Sequence, residues 1–212
     1  YGAVHDETVL LTHDDLWHEV VTPELPDVSG KLPEIRRLLN ENKAAEADPI
    51  LSQALKAAGY DADIGAPLPL GDLKVKMPID RGFTDYRRSL DMATGEVSVN
   101  WKDGGVAYER KLFVSRSDES VVMEINSRGG PLTADVTLDL HDRTDAEFYD
   151  DEDPELPGNL TVEPDASGSI RYAARNDDGT DFGAVARIHQ AGGTPTEIPG
   201  GLQIEGTEGI LI

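Results

Sequence analysis

GEVSVNWKDGGVAYERKLFVSR, residues 95–116, decides how the rest of the chain is read. Val97, Val99 and Trp101 alternate with Ser98 and Asn100, the period of two that places successive side chains on opposite faces of a strand. The alternation stops at KDGG (102–105), and a second strand-like run follows it. An Asp/Gly turn between two such runs signals a β-hairpin. The same period recurs outward. In GDLKVKM (71–77), Leu73, Val75 and Met77 oppose Asp72, Lys74 and Lys76. ESVVMEINS (119–127) follows the turn RSD, and PLTADVTLDL (131–140) alternates cleanly. Further strands are expected at 168–174, 182–190, 195–205 and 208–212. Short strands broken by Asp, Gly and Ser turns predict a mainly β chain: a large antiparallel β-sandwich, supersandwich-like, with a short helical insertion.

The insertion falls at about 31–59, inside a single domain spanning 1–212. Pro33 suits a first helical turn, with Glu34 near the positive end of the dipole. Ile35, Leu38 and Leu39 fall at helical spacing. In AAEADPILSQALKAAG (44–59), Ile50, Leu51, Ala54, Leu55 and Ala58 share a face, and Gly59 is a C-terminal stop. Asp48-Pro49 marks either a kink or the true start, with Asp48 as the cap. Leu70-Gly71-Asp72 reads as a turn opening a strand, with Gly71 in an unusual backbone conformation. In DYRRSLDM (85–92), Tyr86, Leu90 and Met92 are expected to point inward and Arg87 the other way, its neighbour Arg88 and itself engaging acids or strand carbonyls.

Composition narrows the function. Nineteen Lys and Arg stand against 41 Asp and Glu, a net charge of −22 on 212 residues. Such a surface repels phosphate backbones and anionic lipid, so neither nucleic acid nor membrane is an expected partner. The spread of acid along the chain fits a high-salt source. There is no Cys, which excludes disulfides and thiolate metal sites. No run of 18 apolar residues occurs. YGAVHDETVLL opens without a signal-peptide pattern, and both ends run into apolar stretches, so a piece of a longer protein is expected.

The chemistry-bearing residues cluster in LLTHDDLWHE, residues 10–19. Leu10 and Leu11 would anchor a strand ending at about Thr12. Asp14 or Asp15 would fix a turn through backbone N–H groups. Trp17 would be presented as a plate with one apolar face and one N–H donor. His13, Asp14 and Trp17 are therefore the candidate substrate-binding residues; the alternative is that Trp17 merely packs on the helical insertion. His13 and His18 are five apart, which fits neither a helical nor a strand metal pair, and no metal or cofactor is expected. The acidic loop 142–159 lacks the alternate-ligand spacing of a calcium hand and reads as solvated. Asn159-Leu160-Thr161 has the pattern of a glycosylation sequon. With 41 acids, carboxylate pairs by themselves prove nothing. No nucleophile elbow, phosphate loop or dinucleotide fingerprint is present.

Five pieces fall in one order: LTHDDLW (11–17), LPEIRRLL (32–39), PLPLGDLKVKMP (67–78), DYRRSLDMATGEVSVNW (85–101) and VAYERKLFVSRSDESVVMEI (106–125). Together they resemble the amino-terminal β-sandwich of glycoside hydrolase family 95, the α-L-fucosidase and α-L-galactosidase family. That domain in turn resembles the sandwich in front of the barrel of family 65 enzymes. The family pattern Leu-Asn-Glu-Asp-Thr-Leu-Trp-Ser-Gly is met by Leu11, Asp14, Leu16 and Trp17. Thr12, His13, Asp15, His18 and Glu19 depart from it. The resemblance implies an inverting hydrolase whose general-acid Glu and activated water sit in a downstream (α/α)6 barrel. This chain would then contribute no catalytic residue. It would brace that C-terminal barrel, and carbohydrate would be met through the catalytic domain. The alternative is a stand-alone carbohydrate-binding or structural β-sandwich, which the scattered aromatics (6% of residues) disfavour.

Overall fold

The computed structural model describes residues 3–18, 24–60, 66–140, 159–176 and 179–212. Strand accounts for 54% and helix for 15% of the structure, in three antiparallel sheets and two helices. The strands, in chain order, are β1 (Asp6–His18), β2 (Ala66–Lys76), β3 (Phe83–Leu90), β4 (Val97–Asp103) and β5 (Val106–Ser115). They continue with β6 (Ser120–Arg128), β7 (Leu132–Asp139), β8 (Thr161–Asp165), β9 (Ser169–Arg175) and β10 (Asp181–Arg187). Short strands β11 (His189–Gln190) and β12 (Thr196–Ile198), then β13 (Gly201–Thr207) and β14 (Gly209–Leu211), complete the set. One sheet runs β1-β2-β7-β13-β12, a second β11-β14-β6-β5-β4-β3, and a small third β10-β9-β8.

Period-two sequence becomes a two-sided sheet where expected. Along β7, Leu132, Ala134, Val136 and Leu138 are buried, while Thr133, Asp135 and Thr137 lie half-buried on the other face. Register aligns Val75, Val136 and Leu202 in one cross-strand row. In the six-stranded sheet the corresponding apolar row is Val97, Leu112 and Met123. Both sheets and Ile170, Tyr172 and Ala186 of the small sheet contribute to one apolar core. The KDGG turn is a two-residue hairpin: Asp103 pairs with Val106, and Gly104 and Gly105 both have positive φ, 57° and 96°.

Three expectations are corrected. β1 does not end at Thr12 but continues to His18. It lies at the rim of its sheet, where exposed polar side chains are tolerated. Tyr86, Leu90 and Met92 are not buried but exposed: β3 is an edge strand, so Tyr86 and Leu90 lack cover on its open side, and Met92 lies in the turn beyond its end. Gly71 sits within β2 rather than in a turn before it, although its φ of 141° is unusual as expected. A Cβ there would lie 2.8 Å from the Asp139 carbonyl oxygen and 3.1 Å from the Tyr172 ring.

The chain divides into two compact units, Tyr1–Leu16 with Leu68–Ile212, and Trp17–Pro67. In the second, α1 (Leu32–Asn40) carries Pro33 in its first turn and buries Leu38. α2 (Ala44–Ala57) buries Ala47 and runs through Pro49, so Asp48 does not cap it. Its end is a Schellman motif: Gly59 N donates to Lys56 O and Tyr60 N to Leu55 O, both at 3.0 Å, with Gly59 at φ 78°. Between the helices, Glu41 takes hydrogen bonds from Arg37 (2.8 Å) and Lys43 (2.9 Å).

Candidate functional site

The backbone of β1 lines up the predicted site residues but leaves them in solvent. His13 and Asp14 are exposed, and Trp17 is 44% exposed. The His13 Nδ1 lies 3.5 Å from an Asp14 oxygen and 3.8 Å from an Asp15 oxygen. It also accepts the Asp15 backbone N–H at 3.2 Å. Trp17 belongs to the second compact unit. The side chains of His13, Asp14 and Asp15 present ligand atoms within 4.8 Å of one another. All three are exposed, and nothing besides the cluster itself points to an ion. The acidic loop 142–158 and His141 lie outside the described residues, as does the His18 side chain. Asn159 of the sequon accepts the Arg175 backbone N–H at 3.0 Å, which fixes its side chain against β9.

An open groove of about 510 Å³ lies on the outer face of the five-stranded sheet, lined by His5, Lys76, Ile79, Thr133, Asp135 and Gln203 among others. Register explains it: Lys76 and Gln203 flank Asp135 on the neighbouring strands. Gln203 Nε2 donates to Asp135 Oδ1 at 2.9 Å. The groove offers an ammonium, an amide, a hydroxyl and a carboxylate, groups that can hydrogen-bond a polyol. It holds one carboxylate, whereas glycoside hydrolysis takes a facing acid and base.

A buried charge cluster lies elsewhere, and of its members the sequence flagged only Arg88, as a partner of acids. Glu7 of β1 and Arg110 of β5 form a buried ion pair, 103 residues apart in the chain. Arg88 of β3 approaches Glu7 at 3.9 Å. The Arg110 guanidinium lies 5.6 Å from the centre of the Trp101 ring, which stacks on Tyr108 at 5.1 Å. Burial lowers the Arg110 pKa, and the Glu7 charge opposes that shift. A buried Arg on an otherwise apolar strand face is the signal that could have found the cluster: Arg110 shares the alternation of Tyr108 and Leu112. Its geometry fastens strands of different sheets together. It presents no nucleophile or acid to solvent.

Nearby, Asp103, which is buried, accepts backbone N–H groups of Asp80 (2.7 Å) and Arg81 (3.0 Å). This clamps the segment entering β3 onto the end of β4. Among the described residues, then, polar groups brace strands and furnish a polyol-compatible surface. No curated protein matches the chain significantly. The whole of residues 1–212 matches glycosyl hydrolase family 65, N-terminal domain, the relative of the expected family 95 domain. A strand-rich chain with one apolar core and a short helical insertion, matched from end to end, belongs to that family as its N-terminal domain.

Proposed function

We propose that this domain is the non-catalytic front of a longer glycoside hydrolase, α-L-fucosidase-like in sugar preference. It braces a helical (α/α)6 catalytic barrel, and exposed His13, Asp14 and Trp17 help shape the rim of that barrel's pocket. The observation that carries this reading is the family match across residues 1–212. The strand-dominated build supports it, because the described residues contain only two α-helices and a single helical turn. The inverting stereochemistry follows the family resemblance and is part of the proposal.

The test compares the 212-residue chain with the protein encoded by its whole reading frame. The longer protein should hydrolyse an aryl α-L-fucoside with inversion at the anomeric carbon, and the isolated chain should not. In the longer protein, Trp17→Ala should lower kcat/KM with Tm nearly unchanged. Turnover by the isolated chain that persists through repurification would overturn the assignment, as would a reading frame that stops shortly after codon 212.

A further inference from the structure

The bulge in β3 brings together two aromatic residues that the sequence spaces apart. Thr84 pairs with Lys102 and Arg87 with Asn100, so Asp85 and Tyr86 together oppose the single residue Trp101. In a regular strand, residues three apart face opposite sides. The extra residue cancels that alternation. Phe83 and Tyr86 therefore meet, ring centres 5.8 Å apart and planes inclined at 60°. Both stay in solvent, at 47% and 44% exposure. Asp85 at the bulge has φ 53°, a left-handed conformation uncommon for residues other than Gly. Its carboxylate is held by Lys102 at 2.8 Å. Two aromatic rings that meet at an edge-strand bulge yet stay in solvent are a feature that packing alone does not call for.

We propose that Phe83 and Tyr86 form a carbohydrate-binding notch that takes one pyranose ring of a neutral oligosaccharide. The tilted rings offer apolar faces for the C–H side of a sugar, and the Tyr86 hydroxyl can hydrogen-bond one of its hydroxyls. Area decides between a sugar and a protein partner. Two half-exposed aromatic side chains present roughly 200 Å². A stable protein interface needs about 800 Å² from each partner. A second copy of this chain is further opposed by its net charge of −22. The inference rests on the glycoside-hydrolase reading for the class of ligand; the notch itself is geometric.

The experiment titrates the 212-residue chain with 2′-fucosyllactose, cellotriose and maltotriose by calorimetry, with NMR shifts of the Phe83 and Tyr86 rings followed in parallel. Saturable binding of at least one of them, weakened tenfold or more in Phe83→Ala/Tyr86→Ala and retained in Tyr86→Trp, is expected. The Tm of the double variant guards against misfolding. If that variant does not fold, ring shifts of the wild-type chain on titration decide: movement of both rings supports the notch, and their stillness overturns it. No saturable binding, or binding indifferent to the double variant, also overturns it. Concentration-dependent dimerisation abolished by the double variant overturns it in favour of a second copy. Fucoside hydrolysis by the longer protein is a separate readout. Activity without binding sinks the notch and leaves the hydrolase reading standing; binding without activity does the reverse.

Discussion

At the residue scale, Glu7 and Arg110 show how much rests on one pair. Each charge is buried, and each compensates the other. Glu7→Ala leaves a guanidinium without its carboxylate and should destabilise the fold by about 3–5 kcal/mol. Replacing both, Glu7→Met with Arg110→Met, should recover most of that loss in denaturant unfolding, since apolar residues of similar volume often replace a buried pair at little cost. Tyr172 makes the opposite case. Its hydroxyl is buried with no hydrogen-bond partner among the described residues. Burial first, then the charges of Asp139 and Asp72, raise its pKa well above the ordinary 10.0. The native state thus holds this proton more tightly than the unfolded chain. Stability from it is complete below pH 10 and is lost as pH rises beyond that value. Tyr172→Phe should stabilise the fold by about 1 kcal/mol at pH 7. It should also flatten the alkaline limb of a stability-versus-pH curve.

At the element scale, Asp103 closes the route from β2 into β3. Removing its carboxylate in Asp103→Ala strands two backbone N–H groups, at about 1–3 kcal/mol each if they stay buried. Asp103→Asn keeps one acceptor oxygen and should lose less, which comparative thermal melts would resolve. The elements themselves were legible to different degrees. β2, β4 and β7 face the core on one side only, so their side-chain alternation is written plainly in the chain. The KDGG hairpin was equally plain, because its backbone needs positive φ at both central positions, which Gly supplies without strain. Edge strands were not. Asp14 and Asp15 look like turn formers, yet β1 carries them outward at the rim of a sheet. The β3 bulge brings Phe83 into phase with Tyr86, and nothing local in DYRRSLD announces that shift or the lack of cover at the sheet edge. The pairing of Glu7 with Arg110 was beyond reach for a different reason: it depends on which strands of different sheets face each other. As for the candidate site, His13, Asp14 and Trp17 were visible as residue types, while the groove around Asp135 exists only through register.

At the scale of the whole molecule, charge and topology govern behaviour. A net −22 on 212 residues repels itself across the surface. The screening length falls from about 30 Å at 0.01 M salt to about 3 Å at 1 M. Tm should therefore climb with NaCl toward molar concentrations; a flat or falling profile would remove the high-salt reading. The strand order has its own consequence, in time rather than in energy. β3, β4, β5 and β6 are neighbours in both sequence and space, so they can zip together as a meander of short loop closures. β14, by contrast, must insert between β11 and β6, where Ile210 meets Ile125. β13 must likewise reach back to β7 and set Leu202 against Val136. Such distant pairings are slow to form. Pulse-labelled hydrogen exchange should find amides of β4 and β5 protected first, and those joining β6 to β14 last. Until that late step, Ile125 and Met123 lack part of their cover, and a ribosome-stalled or truncated chain ending before residue 201 would display them to chaperones.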